Sequence, residues 1–120
     1  MKTVKLFVIT FFAVIICVNA SAQTKDQQKT ASTKTETFKV WGVCEMCKTR
    51  IEKAVKATGA TSADWNTETK MLTVAFNPAK TNLDAFGKKL ASVGHDTEKY
   101  KAPDKAYNAL PACCKYEREK

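Results

Sequence analysis

The sequence predicts a small α+β sandwich of ferredoxin-like βαββαβ plan, a four-stranded antiparallel sheet with two helices on one face, plus a short C-terminal cysteine-containing extension. Three observations lead there. Apolar and polar residues alternate at 38–40 and 72–76, the period of a half-buried strand. Two longer stretches, 47–58 and 83–93, place apolar residues at helical spacing instead. Gly42, Gly59, Asn77-Pro78 and Gly94 punctuate these runs and keep each element short.

The first residues do not read as part of that fold. Met1 to Lys5 carries two lysines, Leu6 to Val18 is an apolar run of 13 residues, and Ala20-Ser21-Ala22 supplies small side chains. That order is a secretory signal, and the run is too short for a spanning helix of roughly 20 residues. Cleavage is expected after Ala22. Cys17 lies inside the run, but Ile16 precedes it where lipoprotein signals carry Gly, Ala or Ser. Cys17 is therefore expected to leave with the signal, without lipid. Gln23 to Lys34 has no large apolar side chain to offset its ordering entropy, so it is expected to be a flexible tether. The folded domain is expected over residues 35–102 and the extension over 103–120.

Within the domain, Phe38 and Val40 mark the first strand, which Gly42 breaks. Cys47, Ile51, Ala54, Val55 and Thr58 line one face of a helix whose other faces carry Lys48, Arg50, Lys53 and Lys56, and Gly59 is placed to cap it. Ala63 and Trp65 share a face of the second strand, and 66–69 is turn-like. Leu72, Val74 and Phe76 alternate in the third strand, which Asn77-Pro78 stops. Leu83, Phe86, Leu90 and Val93 form the second helix, capped by Thr81 or Asn82 and closed by Gly94. Asp96 to Lys101 is expected as a fourth strand. These faces already provide a core, so the domain is expected to fold without metal.

The chain of 120 residues has a formal charge of +8, and losing Lys2 and Lys5 leaves +6. Such a balance suits nucleic acid, acidic lipid or an acidic protein. An exported chain does not meet nucleic acid as its task, and the lysines are spread along the sequence, so most belong to a solvated face. The membrane is expected to be met only through the signal segment before cleavage. A monomer in the periplasm, or secreted, is the expected form.

Four cysteines remain after cleavage: Cys44, Cys47, Cys113 and Cys114. Outside the cytoplasm four cysteines usually mean two disulfides. Here one pair is adjacent, which strains a bridge, and a C-x-x-C bridge closes too small a loop to stabilise much. These are thiols kept for chemistry. Cys44 precedes the first helix and Cys47 lies in its first turn, where free N–H groups and the helix dipole favour a thiolate, with Lys48 and Arg50 adding positive charge. Two intervening residues let both sulfurs grip one ion. Two soft sulfurs suit copper(I), or mercury(II) by the same softness; zinc(II) usually wants four ligands.

The run G-V-C-E-M-C-K-T-R-I-E-K-A-V, with the later F-N-P and V-G-H-D, resembles the heavy-metal-associated domain family over residues 35–101. That family comprises copper chaperones, metal-ATPase amino-terminal modules and mercury-binding proteins. The resemblance implies that Cys44 and Cys47 are the metal ligands, that Ile51 and Val55 pack on the sheet, and that a metal-transporting or metal-accepting protein is the partner. The family's usual Met before the loop is missing, and Met46 lies between the cysteines instead, either a weak thioether ligand or a flexible plug. His95, the only histidine, follows Gly94 on a loop that faces the metal in the family, either as a further ligand or as an ordinary side chain. Cys113 and Cys114 lie outside the family boundary. If the tail folds back, one of them can complete a three- or four-thiolate site and tune metal retention; the bland alternative is packing beside Leu110 and Tyr116, with Tyr107 as a further anchor.

Two rival functions share these residues. A structural zinc-thiolate domain that presents a binding surface is kept open by Cys113-Cys114. Thiol-disulfide exchange also uses C-x-x-C, but the W-C-G-P-C loop of thioredoxin-like proteins is missing. Carriage, transfer or detoxification of copper(I) by a protein that is not an enzyme is the leading expectation.

Overall fold

A computed structural model of the chain describes residues 32–120. The expected signal segment, Cys17 and residues 23–31 of the expected tether lie outside the described residues. Among those described, no helix is long and apolar enough to cross a membrane.

Strand β1 (Lys34–Lys39) and strand β2 (Ala60–Trp65) flank strand β3 (Met71–Phe76), and both pair with it antiparallel in the order β1-β3-β2. Phe38 and Trp65 stand opposite Leu72 in the two ladders. The alternation of β3 decides its faces: Leu72, Val74 and Phe76 are buried, while Thr73 is exposed and meets Thr37 across the ladder at 3.1 Å. A bulge between Ala60 and Ser62 shifts the register of β2, and the Thr61 hydroxyl donates to the Ala75 carbonyl there.

Helix α1 (Glu45–Ala57) buries Cys47, Ile51, Ala54 and Val55, the face expected from spacing. Helix α2 (Leu83–Ser92) buries Phe86, Leu90 and Ala91. Phe86 meets Phe76 edge-on at 5.3 Å, which fastens α2 to the sheet. Asn82 rather than Thr81 caps α2, accepting from the Ala85 N–H at 2.8 Å. Gly59 and Gly94 end the two helices with positive φ.

The expected fourth strand needs a correction. Its place beside β1 is kept, but only a single bridge forms, Val40 to Thr97. The reason is local: the Thr97 N–H and hydroxyl turn to the Tyr100 carbonyl, and the Asp96 carboxylate accepts from the Ala102 N–H. Residues 96–102 close a turn on themselves where a ladder was expected.

The extension is part of the fold. Helix α3 (Asp104–Asn108) and a 3-10 turn over Ala112–Cys114 bring Leu110, Cys114 and Tyr116 into the core, each 4% exposed or less. Gly94 makes room for them. A Cβ there would lie 2.7 Å from the Ala106 carbonyl and 2.9 Å from Leu110, at φ +100°. Gly94→Ala is therefore expected to lower unfolding free energy by about 3 kcal/mol, from left-handed strain plus the backbone clash. Chemical denaturation checks this, and a loss below about 0.5 kcal/mol, the range of an ordinary surface change, would refute the close packing of the tail.

Candidate metal centre

Cys44 is the N-cap of α1, with extended backbone angles, and its carbonyl accepts the first helical bond, from Lys48. Cys47 sits one turn on and is fully buried. Gly42 lets the loop lie flat: a Cβ on it would stand 2.9 Å from the Trp65 indole and 3.1 Å from Cys47 Cβ. Trp65 is itself pinned, its Nε1–H donating to the Val40 carbonyl at 3.0 Å. The indole thus fills the space beneath the loop.

The Cys44 and Cys47 sulfurs are 4.0 Å apart. The buried Cys114 joins them, and all three sulfurs lie within 4.8 Å of one another. With a metal–thiolate bond of about 2.3 Å, three sulfurs around one ion stand about 4.0 Å apart in a plane, and two in line about 4.6 Å. The 4.0 Å pair matches the planar spacing and the 4.8 Å bound on the others lies just above the in-line one, so the three sulfurs can close on one ion by moving a few tenths of an ångström.

Electrostatics divide the three thiols. The backbone N–H groups of Cys47, and then Met46, hold the Cys44 thiol below its ordinary range against a smaller opposing effect of burial. These donors favour the thiolate, as the start of a helix does. Burial pushes Cys114 well above the ordinary range, and the neighbouring Cys47 thiol adds to that. A buried cation reverses the second effect, since coordination deprotonates a thiol outright. Cys47 receives the Val43 N–H at 3.4 Å within the loop, and the Cys44 thiol donates to the Cys113 carbonyl at 3.3 Å, so a hydrogen bond as well as packing joins the loop to the tail.

Three residues expected to serve the site fall outside the three-sulfur group. Cys113 is exposed, outside the three-sulfur group, with Sγ 3.5 Å from Met46 Sδ. His95 also lies outside the group: its Nδ1 pairs with the Trp41 carbonyl at 2.9 Å and its ring stacks on Tyr116. Burial lowers its pKa and so favours the neutral ring, and Nε2 is buried without a partner. Lys48 does not serve the sulfurs, because its ammonium is held by Glu52, Asp64 and the Trp65 carbonyl.

What the sequence did not mark is the clasp that holds the tail. Arg118 pairs with both Asp96 oxygens, at 2.8 and 3.0 Å, and with Asp104 at 2.8 Å. The Tyr116 hydroxyl donates to the Gly94 carbonyl and accepts from the Asp96 N–H. No periodic pattern links an Arg and an Asp 22 positions apart.

A family model described as the heavy-metal-associated domain matches residues 37–96, half of the chain. The chain belongs to the heavy-metal-associated domain family. Over 56 residues it is 38% identical to a copper-exporting P-type ATPase of Staphylococcus saprophyticus, covering 46% of this chain and 7% of that ATPase. The chain thus spans a small fraction of that relative's length. Among solved structures it is similar to a CopZ metallochaperone, with TM-score 0.52 and 29% identity over 53% of this chain and 98% of the other. It is also similar to oxidised MerP of Ralstonia metallidurans, with TM-score 0.53 and 30% identity over 56% and 96% of the two chains. Cys44 and Cys47 fall inside the stretch that matches the heavy-metal-associated domain, while Cys113 and Cys114 fall beyond it.

Proposed function

We propose that the protein is an exported carrier of copper(I), which it holds through Cys44, Cys47 and Cys114 and passes to a metal-accepting protein. The observation that carries this reading is the convergence of three sulfurs, from a helix N-cap, a first helical turn and the tail, within 4.8 Å. Three thiolates without a fourth protein ligand suit copper(I) better than zinc(II), which favours a closed tetrahedral set in structural sites. Mercury(II) shares the softness and is the competing cargo. The likeness to a metallochaperone and to a copper-exporting ATPase supports copper and favours carriage over catalysis. Export follows from the basic, apolar and A-S-A order of residues 1–22, and a monomer is the working form.

X-ray absorption of the copper(I) form tests the ligand set. Three sulfur neighbours are expected in the wild type and two in Cys114→Ser. Two in both would remove Cys114 from the site, whereas a four-coordinate zinc(II) form that outcompetes copper(I) would favour the structural-zinc reading.

A further inference from the structure

Cys113 and Met46 form a sulfur pair that the three-thiolate reading leaves unused. The Cys113 thiol points at the Met46 thioether, Sγ to Sδ at 3.5 Å. Both are exposed, and Met46, at 49%, is with Val43 one of two large apolar side chains left to solvent among the described residues. They come from different elements, Met46 from the first turn of α1 and Cys113 from the 3-10 turn of the tail. The pair adjoins the inner site: the Cys113 carbonyl is 3.3 Å from Cys44 Sγ, and Cys114 is the next residue.

We propose that Cys113 Sγ and Met46 Sδ form a second, outer site for a soft monovalent cation, copper(I) or silver(I), through which the ion enters and leaves the inner site. An ion between two sulfurs at bonds of about 2.3 Å needs them up to about 4.6 Å apart, and two exposed side chains can open by that amount without disturbing the core. A thiolate with a thioether is soft but carries only one negative charge, so it holds the ion less tightly than three thiolates. The thioether also binds without losing a proton. On entry Cys113 releases its thiol proton to water as its bond to the metal forms. Cys44 thiolate then displaces Met46, and Cys47 displaces Cys113 as its own thiol proton passes, through water, to the departing Cys113 thiolate. The inward step rests on the proposed function; the outer site itself does not.

Silver(I), which needs no reductant, is the probe, titrated into the mature chain and followed by native mass spectrometry. The wild type is expected to bind two ions, and Cys113→Ser and Met46→Leu one each. Cys44→Ser/Cys47→Ser is expected to keep the outer ion while losing the inner one, which separates failure of this inference from failure of the inner site. Stopped-flow delivery to the inner site should slow in Met46→Leu. One ion bound by the wild type, or two by both Cys113→Ser and Met46→Leu, would overturn the outer site.

Discussion

Replacing both Cys44 and Cys47 by Ser is expected to weaken copper(I) binding by at least about a thousandfold, or about 4 kcal/mol. A hydroxyl is a poor soft-metal ligand and stays protonated at neutral pH, so the variant loses both softness and charge. Cys114 alone cannot compensate, because burial opposes its ionisation unless a cation is already held beside it. Fold should be kept: Ser is close in size to Cys, and the surrounding core of Ile51, Val55, Trp65 and Leu72 is untouched. Competition against a copper(I) chelator measures the loss. Affinity within tenfold of wild type would move the principal site away from the C-x-x-C loop.

The second large effect concerns the clasp. Arg118→Ala leaves Asp96, 5% exposed, without its charged partner, and the cost of breaking such a pair is about 3 kcal/mol at the low end for buried pairs. For a domain of this size that lowers Tm by roughly 12 °C or more. It should also loosen residues 112–116, so copper(I) in the variant is expected to show fewer sulfur neighbours, although no ligand was changed. The same pair sets an acid limit. Burial works against the Asp96 carboxylate, but hydrogen bonds from Arg118 and the Ala102 N–H outweigh it and hold its pKa below the ordinary value. A depressed folded pKa gives stability that is complete above the unfolded value, about 3.9, and is lost as pH falls through the folded one. Wild type should therefore lose stability below about pH 4 more steeply than Asp96→Asn, whose curve lacks this contribution. Parallel curves for the two would remove Asp96 from the acid response.

These two cases differ in how far the sequence announced them. The placement of Cys44 and Cys47 together at the start of α1 was legible because a helix start and a three-residue spacing are local facts. The same holds for the buried faces of α1, α2 and β3, where one period repeats over several residues. The fourth strand was misjudged because Thr97 and Asp96 prefer side-chain and turn partners to a ladder, a choice that alternation does not record. His95 was open between ligand and bystander, and what fixes its ring is a carbonyl 54 positions away, a contact no local pattern records. The approach of the tail was foreseeable from Tyr107, Leu110 and Tyr116, but which of two adjacent cysteines turns inward is set within the 3-10 turn over 112–114, which has no sequence signature.

The indole beneath the metal loop makes the protein its own optical probe. Trp65 is sealed from water and closely approaches Gly42 of the loop, whereas Trp41, the other indole, is only half-buried. The two chromophores therefore emit from different surroundings, with Trp65 contributing the blue-shifted band. A heavy cation captured in the loop above Trp65 should quench that band more than the emission of Trp41. Occupancy can then be followed by emission colour in unlabelled protein, and a Trp41→Phe variant would leave a single emitter whose brightness counts filled sites.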